Sequence, residues 1–556
     1  MTRAPARAGP ATPDVRTMRE VGGAPVPGPP AGPADLVLTP VRSSSSLACW
    51  LAILAAAALI VLRSWVFLHY EQADFDADQA IVGLMALHLS EGRAWPLFFY
   101  GQLYMMGVQA WMAALVFLAS APTVFGLKLP LLLINVATGA LLIRLLVRDA
   151  GLRAWQAGVA SLWFVALPPV TASRMVQAQG GTIEPLFYGL LLWMVRRRAV
   201  AFGLLFAFGF LQREFTLFAA AAIVVLEAWT GELFTRRRVA HWLVVALVFL
   251  GARQTVTLLR HTASMFGPEA APPRLEDGVT NVDLVARSVC LAPGVMASNL
   301  AWLGGHNVPT FFGVQAQPPG ALILSARPTG VPWAAVPLAL AGLAALVAVA
   351  RRGLRWLPPG RAPDDPRVLL PLMLLLTGLF GLGGVATGCN VQSLFTIRYH
   401  LLLAFAPVGL TALAFVRLSP AAPVSPDVGH PATRRTLSFA IGLGCVAWAG
   451  AMAWSHVQLL REYRSTPPPS AYRVLADDLV AHGDRYGWAS YWVSYHVDFL
   501  SRERVQLSPS SAIRIGEYTR QALKAGPHAT VVGSDPCDPS DRVARKVLHW
   551  WVCRHD

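Results

Sequence analysis

Residues 47–80 read LACWLAILAAAALIVLRSWVFLHYEQADFDADQA, a long apolar run followed by a polar segment with one glutamate and three aspartates. A bilayer core of about 30 Å is crossed by roughly 20 consecutive apolar residues in a helix. Residues 47–68 meet that requirement, so the run predicts a membrane-spanning helix. Asp74, Asp76 and Asp78 then lie directly beyond its end, at one surface of the membrane.

Similar apolar runs recur along the whole chain, which has 556 residues, 55% of them hydrophobic and 14% charged. The mean hydropathy is +0.49. Further runs long enough to span a bilayer lie at 127–147, 155–172, 242–259, 331–350, 368–386, 399–416 and 437–454. Shorter runs lie at 184–195, 199–211 and 215–229. The sequence therefore predicts an all-α polytopic membrane protein with about 11–13 transmembrane helices.

The formal net charge of +15 is distributed in a way that predicts topology. Arginines gather in short loops at 144–153, 196–198, 236–238, 351–355 and 417–435. Because cytoplasmic loops carry such an excess, the N-terminus is expected to be cytoplasmic. The loops 173–183, 212–214, 259–330 and 388–398 then lie outside, provided that segment 104–119 is interfacial or re-entrant. No aromatic stacking platform accompanies the arginines, so nucleic acid is not an expected partner.

Composition divides the chain into three parts. Residues 1–46 are rich in Pro, Gly, Ala and Ser, which predicts a disordered cytoplasmic tail. Residues 47–457 form the transmembrane domain, with a first outer loop at 70–103 and a large outer loop at 260–330. Residues 458–556 predict a small extracytoplasmic α/β domain, with helices at 471–482 and 515–525 and strands at 504–507 and 530–532. Cys537 and Cys553 in this domain fit a disulfide and two free thiols equally well.

The first outer loop carries the strongest candidate for chemistry. Apolar residues follow Asp78 at helical spacing, at Ile81, Val82, Leu84, Met85 and Leu89. This pattern predicts an amphipathic helix along the membrane interface that stops at Gly92, with Asp78 at or near its N-cap. Asp78 then either only caps the helix or serves as a general base at the membrane surface. Asp74 and Asp76 are expected to be solvated loop charges.

Three short strings carry a resemblance to a known family. They are DQAIVGLMA at 78–86, EG at 91–92 and FFYGQLYM at 98–105. Together they resemble the first periplasmic loop of bacterial GT-C membrane glycosyltransferases, the group related to protein O-mannosyltransferases and the lipid A aminoarabinose transferase (glycosyltransferase family 39). The resemblance implies a GT-C-type helix bundle, a polyprenyl-phosphate sugar as donor, and Asp78 as the catalytic residue. The second acidic residue of the family's pair is replaced here by Gln79.

The resemblance also implies roles for residues in other outer loops. Arg213 and Arg398 are expected to face the donor phosphate; the alternatives are an Arg213–Glu214 surface pair and interfacial anchoring by Arg398. Glu184 and Gln79 are candidates for orienting the acceptor or a metal, although Glu184 also suits a helix N-terminus. The expected substrate contacts are Tyr100, Gln102, Tyr104 and Tyr399.

Two aromatic features stay open at this point. The stretch 486–505 fits either a surface for sugar or the core of the small domain. His88 and His306 are lone histidines, and structural roles are expected for both.

Two functions remain open on the sequence. The first is a glycosyltransferase at the outer face of the cytoplasmic membrane, with the lipid bilayer and a lipid-linked sugar as partners. The second is a non-catalytic membrane protein, either a degenerate transferase or a transporter. A transporter is expected to show repeated halves with interrupted helices, and no such pairing is found. The sugar, the acceptor and the need for a divalent cation are not readable from these residues.

Overall fold

The computed structural model describes residues 46–259, 281–350, 360, 365–389, 392–419 and 431–555. The predicted disordered tail before Ser46, residues 260–280 of the large outer loop and the arginine cluster at 351–355 lie outside the described residues. The helices in chain order are α1 Ser46–His69, α2 Ala77–Ser90, α3 Val108–Ala119, α4 Val124–Arg148, α5 Ala154–Val165, α6 Pro169–Arg174, α7 Glu184–Val195, α8 Ala199–Gln212, α9 Thr216–Trp229, α10 Arg236–Leu259, α11 Asn281–Ser288, α12 Pro293–Trp302, α13 Val308–Phe311, α14 Ala335–Ala350, α15 Leu369–Ala386, α16 Phe405–Leu418, α17 Pro431–Ser465, α18 Ala471–Ala481, α19 Tyr491–Leu500 and α20 Gly516–Ala525. The strands are β1 Phe98–Phe99, β2 Gln102–Met106, β3 Tyr486–Ala489, β4 Gln506–Pro509, β5 Thr530–Gly533, β6 Val543–Val547 and β7 Trp550–Arg554.

The predicted helical membrane bundle is confirmed. Within the described ranges, seven helices are long and apolar enough to cross a bilayer. Four of them are α1, α4, α10 and α17. The other three are α14, α15 and α16, each counted together with the short helical turn before it. Four shorter apolar helices, α3, α7, α8 and α9, complete the apolar set. The run at 155–172 is not one span, because Pro168 and Pro169 separate α5 from α6. A proline removes a backbone donor and clashes with the preceding turn, which ends a helix.

Ionisable groups inside the bundle have partners. Arg63 of α1 is buried, and its guanidinium donates to Asn135 Oδ1 at 2.6 Å and to the backbone carbonyl of Phe164. Asn135 in turn donates to the carbonyls of Leu131 and Met175. A charge within a membrane domain is costly unless it is paired, so this chain of bonds stabilises the packing of α1 against α4 and α5.

The helix that follows the first span is buried on almost all sides. Every residue of α2 from Ala77 to His88 except Asp78 is buried, and α2 packs against α3 and α19. The prediction that α2 is amphipathic, with one exposed polar face, is therefore wrong. A Cβ atom at Gly83 would lie 2.5 Å from the ring of Phe499, so the close approach of α19 requires glycine there. The C-terminal domain covers the face that the sequence pattern assigned to lipid and water.

The segment 104–119 is not one continuous helix. Its first residues belong to β2, which pairs with β1 in a two-stranded antiparallel sheet. Helix α3 follows and has 12 residues, the same length as α7.

The C-terminal part forms the predicted small α/β domain. Its five-stranded sheet has the order β4-β3-β5-β7-β6, with β3 parallel to β4 and β5, and β7 antiparallel to β5 and β6. The predicted helices and strands correspond to α18, α20, β4 and β5, whereas β3, α19, β6 and β7 were not predicted. Helix α17 continues to Ser465, so the boundary predicted at residue 458 lies inside this helix.

Two disulfides are present among the described residues. Cys537 and Cys553 are bonded to each other, which decides between the two alternatives that the sequence left open. A second bond, which the sequence analysis missed, joins Cys290 to Cys389. It connects the large outer loop to the loop 388–398, two segments that the arginine pattern assigns to the same side.

Candidate active site

Two of the three aspartates of the first outer loop face the end of α6 and the loop that follows it. Arg174 Nη1 donates to Asp74 Oδ1 at 3.0 Å. The amide nitrogen of Gln177 lies 3.0 and 2.9 Å from the two oxygens of Asp74. Only 9% of the Asp74 side chain is exposed, so the prediction of a solvated loop charge is wrong for this residue. Asp74 fixes the first outer loop to the loop after α6.

Asp76 is the N-cap of α2, the position at or near which Asp78 was expected. Its Oδ1 accepts a hydrogen bond from the backbone nitrogen of Gln79 at 3.0 Å. Its Oδ2 accepts from the amide nitrogen of Gln179 at 2.7 Å. Burial, together with the charges of Asp78 and Asp74, raises the pKa of Asp76 to about 6. Asp76 is thus also not a free solvated charge but part of a half-buried polar chain.

Asp78 lies in the first turn of α2, and its side chain points to a different set of partners. Tyr491 of α19 donates its hydroxyl hydrogen to Asp78 Oδ1 at 2.7 Å. Arg398 Nη1 lies 3.7 Å from Asp78 Oδ2. The Asp78 side chain is 27% exposed, against 9% for Asp74. Asp78 is therefore the more accessible of these two carboxylates, and its nearest described cation is Arg398.

Arg398 is held in place by Gln179. Arg398 Nη1 donates to Gln179 Oε1 at 3.0 Å, and Arg398 Nη2 donates to the hydroxyl of Tyr399 at 3.1 Å. Gln179 therefore bridges Asp76 and Arg398 through the two ends of one amide. The short turn Leu394–Tyr399, which precedes α16, carries both Arg398 and Tyr399. The structure thus brings two predicted site residues, Asp78 and Arg398, to one place.

Arg213 reaches the same place from the end of α8. Its guanidinium carbon lies 5.8 Å from the centre of the Tyr399 ring, and the guanidinium carbon of Arg398 lies 5.1 Å from it. Glu214 is a weak partner, since the nearest N–O distance to Arg213 is 3.8 Å. Gly181 has φ +125°, and a Cβ atom there would lie 2.8 Å from Arg213 Cβ. The loop after α6 thus fits closely around Arg213, and two arginines flank Tyr399.

Two predicted site residues do not reach this place directly. Glu184 is fully buried and accepts from the Thr182 backbone nitrogen at 2.8 Å and from the Gln212 side chain at 3.1 Å. Gln79 is also fully buried, and its amide nitrogen donates to the Asp74 carbonyl at 3.3 Å. Direct orientation of an acceptor by either side chain is not compatible with this burial. Glu184 supports the site through Gln212, the neighbour of Arg213.

The predicted substrate contacts divide into two groups. Tyr100 is 1% exposed, and its hydroxyl lies 2.9 Å from His88 Nδ1, so its predicted contact with substrate is not supported. Gln102 and Tyr104 are half-buried on β2, the strand whose Met105 lies 3.2 Å from Arg213. Tyr399 lies between the two arginines, as described above.

Two residues of the site were not identified from the sequence. Gln179 lies in the polar loop 174–184, but its position in the sequence does not indicate its hydrogen-bond partners. Tyr491 belongs to the aromatic stretch 486–505, which is mostly buried and forms the core between β3 and α19. Their hydrogen bonds link segments far apart in the chain, so only the fold reveals them.

Asp74, Asp76 and Asp78 each accept hydrogen bonds from arginine, amide or hydroxyl donors. Within the described ranges, one group of three possible ligand atoms lies within 4.8 Å, at Cys537, Asp541 and Cys553. Its two sulfurs are joined in the disulfide, so they are not available as thiolates.

The site can perform two chemical tasks. The open carboxylate of Asp78 can accept a proton from a bound hydroxyl or amine. The guanidinium groups of Arg398 and Arg213 can bind a phosphate, because an arginine fork matches two phosphate oxygens. The outer loops bring both tasks together at one end of the bundle.

Comparison with known proteins supports the fold. No family model matches the sequence, and no curated protein sequence matches it. Two crystal structures of ArnT from Cupriavidus metallidurans, one apo and one bound to undecaprenyl phosphate, match with TM-scores of 0.55 and 0.56. Each match has 12% sequence identity and covers 92% of this chain and 98% of ArnT. The archaeal oligosaccharyltransferase AglB from Archaeoglobus fulgidus matches with a TM-score of 0.46 and 14% identity, over 87% of this chain and 69% of AglB. The chain therefore has the fold of ArnT over nearly its whole length, the GT-C fold that its first outer loop implied.

Proposed function

We propose that the protein is a membrane glycosyltransferase that moves a sugar from a polyprenyl-phosphate donor to an acceptor. The observation that carries the proposal is the position of Asp78 Oδ2, 3.7 Å from Arg398 Nη1 and beside the Arg398–Tyr399–Arg213 cluster. A carboxylate base and a phosphate-binding cluster are the two components that such a transfer needs. The shared fold with ArnT, which has been crystallised with undecaprenyl phosphate, supports a lipid phosphate as the donor group.

In the proposed reaction, an acceptor oxygen or nitrogen attacks C1 of the sugar. The bond from C1 to the phosphate oxygen breaks, and its electron pair leaves with the polyprenyl phosphate. The acceptor proton passes to the carboxylate of Asp78. Arg398 and Arg213 stabilise the negative charge that develops on the departing phosphate. All atoms and charges are accounted for without a metal ion.

We assign the reaction to the outer face of the cytoplasmic membrane. The arginine-rich loops favour a cytoplasmic N-terminus and an extracytoplasmic C-terminal domain. Both disulfides lie in segments that this topology places outside, and disulfides persist in oxidising compartments. The site residues Asp78, Arg213 and Arg398 belong to the outer loops in the same topology.

The alternative of a degenerate transferase rested on Gln79, which replaces an acidic residue of the family pattern. Gln79 is buried and donates to the Asp74 carbonyl, away from the open side of Asp78. The substitution therefore leaves the carboxylate that faces Arg398 unchanged. This observation favours the catalytic function over the degenerate one.

The experiment that tests this function is mass spectrometry of surface glycans and glycoproteins in a deletion strain. We expect one sugar modification to be missing, to return with the wild-type protein and to stay missing with Asp78→Asn. Asp535→Asn is a matched control, because Asp535 is exposed on the C-terminal domain and lies outside the site. Complementation by Asp78→Asn, or unchanged glycans in the deletion strain, would contradict the proposal.

A further inference from the structure

A second cavity lies between the membrane bundle and the C-terminal domain. Its volume is about 170 Å³. On the same measure a single water needs roughly 10–15 Å³, so the cavity is large enough for a group of many atoms. Its walls include His69 and Glu71 after α1, Phe125 at the start of α4, and Arg473 and Arg502 of the C-terminal domain. None of the residues that line it belongs to the Asp78 site.

The cavity lies at the level of the membrane surface. Helices α1 and α4 are both candidate spans, and the cavity is bounded by the end of α1 and the beginning of α4. Trp65 of α1 is 38% exposed and stacks on His69 with ring centres 4.0 Å apart, and Phe125 is 39% exposed. Aromatic side chains concentrate at membrane interfaces, where one end is apolar and the other is wet.

The charges around the cavity favour an anion. Among the residues that the structure describes, Glu71 is the one carboxylate in its walls. Arg473 neutralises Glu71 through two hydrogen bonds of 3.0 and 2.7 Å and gives a third to the Leu500 carbonyl at 2.7 Å. Arg502 is exposed, and no described carboxylate lies within ion-pair distance of it. One guanidinium is thus left over to bind an anion from solution or from the membrane.

The backbone at Arg502 is in an unusual conformation. Arg502 and Glu503 have φ angles of 54° and 56°, a left-handed region that side chains other than glycine adopt rarely. Glu503 is held there by hydrogen bonds from His88 at 2.9 Å and from Tyr518 at 2.6 Å. The same turn directs Arg502 to the opposite side, into the cavity wall beside Phe499. The turn therefore fixes the direction in which the Arg502 side chain leaves the backbone.

We propose that this cavity binds the phosphate headgroup of an anionic membrane lipid, with Arg502 as the main contact for the phosphate. Arginine binds phosphate oxygens in pairs, and the apolar rings of Phe125 and Phe499 lie beside the position of the headgroup. A lipid rather than a free anion is favoured because the walls include the ends of two candidate membrane spans, α1 and α4. The bound lipid would join the C-terminal domain to α1 and α4 at the membrane surface.

Native mass spectrometry of the purified full chain tests this proposal. The probes are dioleoyl phosphatidylglycerol, dioleoyl phosphatidylcholine and inorganic phosphate. We expect the wild type to retain phosphatidylglycerol but not phosphatidylcholine. Arg502→Gln should retain phosphatidylglycerol about ten-fold more weakly, which is the effect of losing one charge-assisted contact. Arg542→Gln is the matched control, because Arg542 is exposed on the same domain and does not line the cavity.

Three results would overturn the proposal. The first is equal retention of phosphatidylglycerol by Arg502→Gln and Arg542→Gln. The second is equal retention of phosphatidylglycerol and phosphatidylcholine by the wild type. The third is displacement of phosphatidylglycerol by inorganic phosphate at an equal concentration, which would identify a site for free anions. Thermal unfolding of Arg502→Gln in detergent, without added lipid, should match that of the wild type, and Phe125→Ala gives a second, uncharged variant of the same cavity.

Discussion

Tyr491 of the C-terminal domain donates a hydrogen bond of 2.7 Å to Asp78 at the start of α2. The two residues are 413 positions apart in the chain. The C-terminal domain is thus part of the candidate active site, since it holds the carboxylate to which we assign the role of base. Arg398, the other described partner of Asp78, belongs to the membrane bundle. The base therefore lies at the junction of the membrane bundle and the C-terminal domain.

Tyr491→Phe should lower the turnover of sugar transfer. Burial raises the pKa of Tyr491, so its hydroxyl stays protonated at neutral pH and donates to Asp78. A hydrogen bond to a charged group contributes roughly 1.5 kcal/mol or more, and this one holds the carboxylate in position. Loss of this bond should therefore lower the turnover by about ten-fold. The measurement is the turnover at saturating donor in both proteins.

The control for this prediction is Tyr486→Phe, which alters a half-buried phenol on β3 in the same domain. Its turnover should equal that of the wild type. Wild-type turnover in Tyr491→Phe would show that Tyr491 does not position the base.

Gln179→Ala should lower the turnover of transfer by about ten-fold, the effect of one to two lost hydrogen bonds of roughly 1 kcal/mol each. Gln179 joins Asp76 to Arg398, so its loss frees the guanidinium to leave its position near Asp78. Gln72→Ala is a matched control, because Gln72 donates to the Pro468 carbonyl instead. Equal turnover in the two variants would refute a positioning role for Gln179.

Arg398→Ala should raise the concentration of donor that half-saturates the enzyme. The guanidinium is expected to bind the donor phosphate, and one charge-assisted contact amounts to about ten-fold in affinity. Arg398→Lys should recover only part of the loss, because an ammonium lacks the planar fork. Arg461→Ala, an exposed arginine beside Trp454, is the control. An unchanged donor requirement in Arg398→Ala would leave interfacial anchoring as the role of Arg398.

Glu503→Gln should reduce the loss of folding stability at acid pH. Glu503 belongs to the contact between the first outer loop and the C-terminal domain. Burial acts in the opposite direction, but hydrogen bonds from His88, Arg93 and Tyr518 hold the pKa of Glu503 at about 2, below the ordinary 4.5. A carboxyl with a depressed pKa stabilises the fold above its ordinary pKa and loses this contribution as the pH falls towards its folded pKa. The wild type should therefore lose stability between about pH 4.5 and pH 2, and the variant should lose less.

Thermal unfolding in detergent at several pH values measures this difference. Glu517→Gln serves as the comparison, because Glu517 forms an exposed pair with Arg520 within α20. If Glu503→Gln and the wild type lost the same amount of stability on acidification, the contribution of Glu503 would be disproved.

The sequence predicted the bundle because the length and apolarity of a run are local properties. The sequence placed Asp78 at or near the N-cap of α2. Asp76 and Asp78 both lie near the start of this helix, and aspartate at either position is a suitable N-cap residue. The burial of both faces of α2 was missed for a different reason. A helix buried by a distant domain has the same apolar spacing as one lying in lipid, and the covering helix α19 is more than 400 residues away.

The candidate site was only partly readable for the same physical reason. Asp78, Arg213 and Arg398 stand out because charged residues at the ends of apolar runs are costly and rare. Tyr491 and Gln179 have ordinary types at ordinary positions, and their roles arise from contacts made by the folded chain. Tyr100 and Glu184 matched the resemblance but are buried, which no local pattern indicates.

The most direct test of the central claim compares Asp78→Asn with the wild type in purified form, using the donor and acceptor that the glycan analysis identifies. Transfer and donor binding are measured separately. The account predicts that Asp78→Asn binds the polyprenyl-phosphate sugar as well as the wild type but transfers it at least about 100-fold more slowly, the lower range for loss of a general base. Transfer at the wild-type rate by Asp78→Asn would contradict it.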